Sequence, residues 1–393
     1  MAFIPLEIYN SRVTPTLLCV ANHGAGFGYA HHVFDVLYAG VADRLSADGV
    51  RTLVAYPTLD APPDGLAGSA AQPVLLEASL RDKPASRALT DFIRRENVQA
   101  FFCIDHAFGE GWQYARLRAA GVRTIVVYNQ TSGTGYTARG VKRAIKWAVA
   151  RLPLVTADSL ACASGFVARR EIARMCIPEE RVSVVYNGAD VPPEAPAGPS
   201  LHERLGLAPG RPIVLTSCRA VAAKGVDVLF RAFDLVYGSY HGEQQAPLLV
   251  YVGAGEQLAQ LEALRQSFAS ANSIIMTGYR TDAPELAAGA DVCVIPSVWD
   301  DAFPLAVLEA MAQGRAVIAS RVGGIPEAID SDAVGLLVPP RDERALAQAI
   351  RTLLDDPARR VEMGRRARER IATNFRKDTQ VSAITALLRP GLG

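Results

Sequence analysis

Two cations and two carboxylates invite a chemical reading: Arg219 and Lys224 in CRAVAAKGVDVLFRAF, and Asp301 and Glu309 in DDAFPLAVLEA. Arg219 and Lys224 follow the apolar run IVLTS and precede Gly225 and an amphipathic stretch of helical period. A phosphate is held by this combination, positive charge beside the free N–H groups and dipole of a helix start. The same pair would also serve as ordinary surface cations. From Pro304 to Gln313 the only polar side chains are Glu309 and Gln313, four apart and therefore on one helix face. Pro304 suits the first helical turn, where a missing N–H costs nothing. So apolar a helix is expected to be buried, and a carboxylate within it must find a partner. Glu309 is expected either to tie one helix to another or to accept two hydroxyls of a ribose, as acids do in nucleotide-binding sheets. Asp301, in the loop ahead, stands beside the amides of Leu305 and Ala306. Those amides suit a phosphate, and Asp301 can accept from sugar hydroxyls.

Weaker signals lie at other ends of apolar runs. Gly253 and Gly255 in LVYVGAGEQ permit a close backbone approach to a ligand, or only a sharp turn. Gly278, Tyr279 and Arg280 follow IIMTG, where backbone groups and a ring could frame a flat heterocycle. Gly323-Gly324 separate another such run from a helix opening at Pro326.

Stepping outward from these residues, the chain has 393 positions, more than one core of roughly 250–300 residues accommodates. Short runs rich in Val, Ile and Leu recur at 16–21, 52–57, 100–105, 124–129, 160–164 and 182–187. They return at 213–217, 248–253, 274–278, 292–296, 316–320 and 336–340. Continuous apolarity marks strands covered on both faces, and strand–helix alternation marks a doubly wound parallel sheet. The pattern occurs twice, which predicts an α/β protein of two Rossmann-like domains facing across a cleft. DVPPEAPAGPS (190–200) has linker chemistry. The predicted division is an N-terminal domain over 1–190, a linker over 191–205, a C-terminal domain over 206–372, and a last helix over 373–393 that crosses back to the first domain. Ligands of open parallel sheets bind at the carboxyl ends of strands, where the residues above are found.

Composition narrows the partners. Half the residues are hydrophobic, 21% are charged, and the net charge is +1, which argues against nucleic acid. Six scattered cysteines, mostly inside apolar runs, read as buried free thiols of a reducing compartment and not as disulfides or a zinc site. MAFIPLEIYNSR lacks the features of a signal peptide, and no run of ~18 apolar residues spans a membrane. A cytoplasmic location is expected. The basic tail segment RRVEMGRRARERIA reads as a solvated helix face.

Taken in order, RAVAAKG, VGAGEQLAQLE, GYRTDAPELAAGADVCVIPS, DAFPLAVLEAMAQGRAVIAS, VGGIPEAI and GLLVPPRDERALAQAI resemble the family 4 glycosyltransferases of GT-B fold. VVYNGADV and SLACASGFVARRE resemble two further segments of that family, so the likeness runs over 155–370. It implies a retaining, hexosyltransferase-type enzyme of glycan biosynthesis that moves a sugar from a nucleotide diphosphate sugar to an acceptor hydroxyl. Arg219 and Lys224 would hold the diphosphate with help from amides, and no metal or other cofactor would be required. The family's paired glutamates fall on Asp301, for the donor sugar, and Glu309, for the ribose; an aspartate thus stands where glutamate is usual. By the same resemblance His106 in CIDHAFGEG lies near the donor sugar. Gly24 and Gly26 of NHGAGFG belong to a glycine loop near the phosphates, and Phe303, Pro304, Leu305 and Ala306 line the nucleotide sugar.

The N-terminal domain would take the acceptor, whether glycan, lipid-linked or small molecule. Within it TARGVKRAIKWAVARL (137–152) sets Arg139, Lys142, Arg143 and Lys146 against Val141, Ile145, Ala148, Val149 and Leu152. Such a helix either lies on an anionic membrane, at the inner face, or packs on the core with a solvated side; the second is the expectation. An epimerase or phosphorylase on the same scaffold, and a non-catalytic nucleotide-sugar-binding subunit, are the rival functions.

Overall fold

The structure, a computed structural model, describes residues 14–25, 29–79, 83–133, 139–193, 200–241 and 245–393. Strands of the first half are β1 (Thr16–Val20), β2 (Arg51–Tyr56), β3 (Ala71–Leu75), β4 (Val98–Ile104), β5 (Thr124–Asn129), β6 (Ser159–Cys162) and β7 (Val182–Val184). They form one sheet in the order β3-β2-β1-β4-β5-β6-β7. The second half supplies β8 (Ile213–Ser217), β9 (Leu248–Val252), β10 (Ile274–Met276), β11 (Val292–Ile295), β12 (Ala316–Ser320) and β13 (Leu336–Val338), ordered β10-β9-β8-β11-β12-β13. Both sheets are parallel and Rossmann-like, as the runs of Val, Ile and Leu require. The central strands β1, β5, β9 and β12 are buried along their whole length.

One strand escapes the hydrophobic pattern. β3, AQPVL, is mostly half-exposed or exposed and pairs in parallel with β2. It lies at the sheet edge, where one neighbour is missing and Pro73 is tolerated, so its sequence need not be apolar throughout.

Contacts divide the chain into two compact units. One comprises Met1–Tyr128, Val141–Ala161 and Val381–Gly393, the other Asn129–Gly140 and Cys162–Gln380. The last thirteen residues thus return to the first unit, while the division bypasses the proline-rich segment. Residues from Cys162 onward join the second unit through polar ties within it. Ser164 Oγ donates to the Ala302 carbonyl at 2.6 Å. The amides of Gly165 and Phe166, opening the helix Gly165–Met175, donate to the Glu327 carboxylate at 2.7 Å each. A carboxylate at a helix amino end is favoured by the dipole and by the unmet N–H groups there.

Inside the second unit the helices Val226–Tyr237 and Glu343–Leu354 cover the sheet, with Leu229, Phe230, Phe233, Ile350 and Leu353 fully buried against Leu249, Tyr251 and Ile318. The basic helix Pro357–Asn374 spends its arginines locally. Arg365 and Arg366 pair with Glu362, while Arg360, Arg368 and Arg370 donate to carbonyls of Leu354, Ala312 and Ala328. Guanidinium groups on carbonyls near helix ends are electrostatically favoured.

All six cysteines are free thiols, five buried and Cys218 half-buried. Burial pushes the thiols of Cys162 and Cys293 up to about 12 and that of Cys218 up to about 11. Since the thiolate is the reactive form, the native protein at pH 8 is expected to show at most one slow thiol toward a disulfide reagent, Cys218, against six after denaturation. Its rate should rise about tenfold per pH unit; two or more fast native thiols would contradict the packing of these strands.

Candidate active site

In the second sheet the strand order reverses between β8 and β11, and that switch point is where an open parallel sheet receives ligands. Lys224 stands after β8 and Asp301 after β11, and they meet there. Lys224 Nζ donates to both carboxylate oxygens of Asp301, at 2.8 and 2.9 Å. Ser297 Oγ, fully buried, donates to Asp301 Oδ2 at 2.6 Å. Asp301 is 6% exposed, whereas the Lys224 side chain keeps 26% of its surface. The cation expected to hold a phosphate is thus neutralised by the carboxylate expected to face a sugar. Burial explains the pairing: a carboxylate as little exposed as Asp301 is costly without a counterion, and Lys224 supplies one.

Backbone packing holds this pair in place. Gly225 has φ +64° and closes the turn carrying Lys224; a Cβ there would lie 2.2 Å from the Pro296 carbonyl oxygen. The Val298 amide donates to the Ala223 carbonyl at 2.9 Å, joining the turn to the loop after β11. From the other side Gly323 (φ +55°) and Gly324 press on the acidic loop, where added Cβ atoms would lie 1.9 and 2.0 Å from the carbonyls of Asp301 and Ala302. The Gly324 amide donates to Asp301 O at 2.8 Å and the Gly323 amide to Asp300 Oδ1 at 3.1 Å. The Gly133 amide holds Asp300 O at 2.7 Å.

Glu309 reaches the same switch point. It is half-buried rather than buried, because the helix Leu305–Ala312 leaves one stripe open and Leu305, Ala306 and Glu309 form it. Val307, Leu308, Ala310, Met311 and Ala312 take the covered faces. Glu309 lines a small pocket with Ser217 at the end of β8, Ile295 at the end of β11, and Ala283, Pro284 and Ala306. Pro304 precedes the helix as its N-cap instead of lying in its first turn, and the amides of Leu305 and Ala306 follow it. Arg219 is exposed.

The other expected residues divide between open and structural positions. Tyr279 is 54% exposed, and Gly278 has φ +74° with open space where a Cβ would be. Arg280 is held sideways by Asp282, with bonds of 2.7 and 2.8 Å that keep the Asp282 carboxyl down to about 2. Phe303 corrects the expectation of a lining side chain: its ring is 2% exposed and packs on Tyr186 and Phe375 at centroid distances of 4.9 and 5.3 Å. Its carbonyl accepts from Asn187 Nδ2 at 2.9 Å. Gly253 is small because the loop after β8 crosses it, with the Cys218 carbonyl 1.9 Å from a would-be Cβ.

The first sheet has its own switch point, between β1 and β4. A cavity there is lined by Asn22, Glu77, Ser79, Asp105, His106 and Glu110 among others. His106 Nδ1 lies 3.3 Å from Asn22 Nδ2 and 3.2 Å from the Ile104 carbonyl, which also accepts from Asn22 Nδ2 at 2.9 Å. These contacts fix the ring and leave Nε2 uncommitted by them. Gly24 packs on Thr58; Gly26 lies outside the described residues. Among the described residues no three His, Cys, Asp or Glu side chains gather as a metal site would require.

Comparison with known proteins separates the two halves. The profile "Glycosyltransferase Family 4" matches residues 36–191, and "Glycosyl transferases group 1" matches residues 199–370. The chain belongs to the family 4 glycosyltransferases. A D-inositol 3-phosphate glycosyltransferase of Corynebacterium glutamicum is 33% identical over 211 residues, 49% of this chain and 48% of that protein. The chain thus spans about half the length of the curated relatives it matches. Sucrose-phosphate synthase of Thermosynechococcus elongatus shares the GT-B fold at a TM-score of 0.75 and 22% identity, over 96% of this chain and 98% of that one. Anabaena HepE, solved with UDP-glucose, does so at 0.74 and 18%, over 95% and 99%.

In this glycosyltransferase family member, sequence reasoning passed over Ser297, Asp300, Arg170 and Glu327. Ser297 had a signal, its place directly after the apolar run VCVIP. Arg170 had none: in ARRE it looks like a surface residue, yet it is buried and donates to the carbonyls of Thr131 and Gly133 at 2.8 and 2.6 Å. Glu327 follows Pro326 in IPEA and receives, besides two amides, the Tyr186 hydroxyl at 3.1 Å. Burial first, and then this carboxylate, push the tyrosine hydroxyl above its ordinary range.

Two outcomes are expected from this geometry. Lys224→Met and Asp301→Asn should each destabilise, and the double variant should lose less than their sum, with a coupling of about 1–3 kcal/mol. Urea titrations of the four proteins measure it, and additive losses would mean the pair is not formed in solution. Gly225→Ala should lower the melting temperature by several degrees through both φ and overlap. Gly206→Ala, at φ +63° with no atom within 4 Å, should lower it by less.

Proposed function

We propose that the protein is a retaining glycosyltransferase that takes a sugar from a nucleotide diphosphate sugar and passes it to an acceptor hydroxyl. The observation that carries this reading is the meeting of Lys224 and Asp301 across the β8/β11 switch point, with Glu309 on the open stripe of the adjoining helix. In the proposal the ribose hydroxyls donate to Glu309. The diphosphate lies against Lys224, Arg219 and the amides of Leu305 and Ala306, where helix-end N–H groups favour anions. A phosphate oxygen competes with Asp301 for the Lys224 ammonium, so donor arrival frees the Asp301 carboxylate to accept from sugar hydroxyls. The HepE complex with UDP-glucose supports a donor of this class. His106 is the histidine that the family resemblance sets near the transferred sugar.

Breaking the bond from anomeric carbon to phosphate oxygen gathers negative charge on the leaving diphosphate. Cations already fixed there stabilise the transition state more than the ground state. The acceptor oxygen attacks on the face the diphosphate leaves and gives its proton to the departing phosphate oxygen, so retention needs no enzymatic nucleophile. The acceptor is assigned to the first unit.

A panel of UDP-, GDP- and ADP-sugars should yield one donor that raises the melting temperature, by about 2.7 kcal/mol of stabilisation at a hundredfold excess over Kd. With that donor Arg219→Ala and Lys224→Ala should lower kcat by roughly a hundredfold to a thousandfold. Arg219 is exposed, so its variant should melt with the parent. Glu309→Gln should mainly weaken donor binding. Full transfer by Lys224→Ala, or no stabilisation by any donor, would refute the proposal, and inverted product stereochemistry would remove retention.

A further inference from the structure

The helix Gly140–Val149 departs from the expectation of a core-facing helix. None of its residues is buried. Val141, Ile145, Trp147, Leu152 and Leu154 are between 52% and 77% exposed, which makes this segment the main cluster of large exposed apolar side chains among the described residues. Isolated exposed apolar residues need no explanation, but a contiguous group does. Val141, Ile145, Val149 and Leu152 recur at helical spacing along one stripe, while Lys142 and Lys146, with Arg139 and Arg143, fall along the neighbouring one. Residues 137 and 138 lie outside the described residues.

The cluster extends beyond the helix. The Gly111 amide donates to the Val155 carbonyl at 3.2 Å, so Trp112, 76% exposed, stands beside the turn carrying Leu154. Arg151 stacks on Trp147 at 4.1 Å and donates to its carbonyl at 3.0 Å, which steadies the indole near the helix end. Charge is one-sided: between Thr131 and Ala157 there are five cations, Arg139, Lys142, Arg143, Lys146 and Arg151, and no Asp or Glu. The other basic helix, Pro357–Asn374, carries its own glutamates and pairs with them.

We infer that this surface docks the first unit on an anionic lipid surface, with the helix lying in the plane of the headgroups. The juxtaposition of stripes selects that occupant. Nucleic acid would satisfy the cations but leave the aliphatic stripe and two indoles in water. A second copy would set the same five cations against themselves, since a two-fold contact joins like to like. A bilayer of anionic lipid takes both stripes at once: aliphatic and indole side chains enter the headgroup–acyl boundary and lysines and arginines meet the phosphates. No helix among the described residues is long and apolar enough to cross a membrane, so the attachment is peripheral.

The test uses the full chain and needs no turnover, so it stands or falls apart from the sugar-transfer reading. The protein should co-sediment with phosphatidylglycerol-containing vesicles at low ionic strength, not with phosphatidylcholine alone, and release as salt rises. Lys142→Ala/Lys146→Ala should weaken binding about thirtyfold. Ile145→Ser/Trp147→Ser should abolish it. None of the four side chains is buried, so the variants should melt close to the parent, and donor-dependent stabilisation should be unchanged. Absence of sedimentation with anionic vesicles overturns the inference, as does undiminished binding by both variants. A dimer in sedimentation equilibrium that these substitutions dissociate, or equal affinity for a nucleic acid duplex, overturns it in favour of those partners.

Discussion

The ion pair between Lys224 and Asp301 is the constraint around which the second unit is arranged. It joins the ends of two strands that lie side by side in the sheet although nearly eighty positions apart in the chain. Two charges so little exposed are stable there only with their geometry fixed, because desolvation takes back much of what attraction gives. The surrounding glycines supply that fixity. Gly225, Gly323 and Gly324 let three stretches of backbone approach within distances that any side chain would forbid. Ser297 then occupies one remaining acceptor site of Asp301. A site held this way is preorganised before any ligand arrives, which is the condition for fixed charges to lower a barrier.

The same arrangement holds two opposite charges together at the ends of adjacent strands. Lys224 and Asp301 hold each other where, in the proposed reaction, a diphosphate and a sugar would hold them instead. Arg219 has no such role to play in the fold and lies in the open. Glu309 has a middle position, on the one stripe of its helix that the core leaves uncovered. The two sheets repeat one logic: in each, polar residues singled out by chemistry stand where strand order reverses, His106 in the first sheet and Lys224 and Asp301 in the second.

Much of this was legible in the residues. Buried parallel strands must be apolar on both faces, so twelve of the thirteen strands among the described residues announced themselves as short apolar runs. Helix starts have local causes as well: Ser164, Ser200, Asp342 and Asp356 cap the helices they precede. The strand that was not legible, Ala71–Leu75, sits at an edge where the demand for apolarity lapses. Phe303 and Arg280 looked like ligand-facing residues because they border the right loops. Their side chains turn instead to an aromatic cluster and to Asp282, a choice made by neighbours remote in sequence.

By itself the sequence determined the two-sheet architecture, the strand ends, and the residue types at those ends, because periodicity and strand–helix alternation are local properties. Tertiary structure alone decided that Asp301 faces Lys224, that Glu309 is half-buried rather than enclosed, that Arg170 and Glu327 bind backbone groups, and that the helix Gly140–Val149 turns its apolar stripe outward. Each of these depends on which segments become neighbours across long separations. A helix with one apolar and one basic stripe looks the same in sequence whether a core or a solvent-facing partner is to cover it.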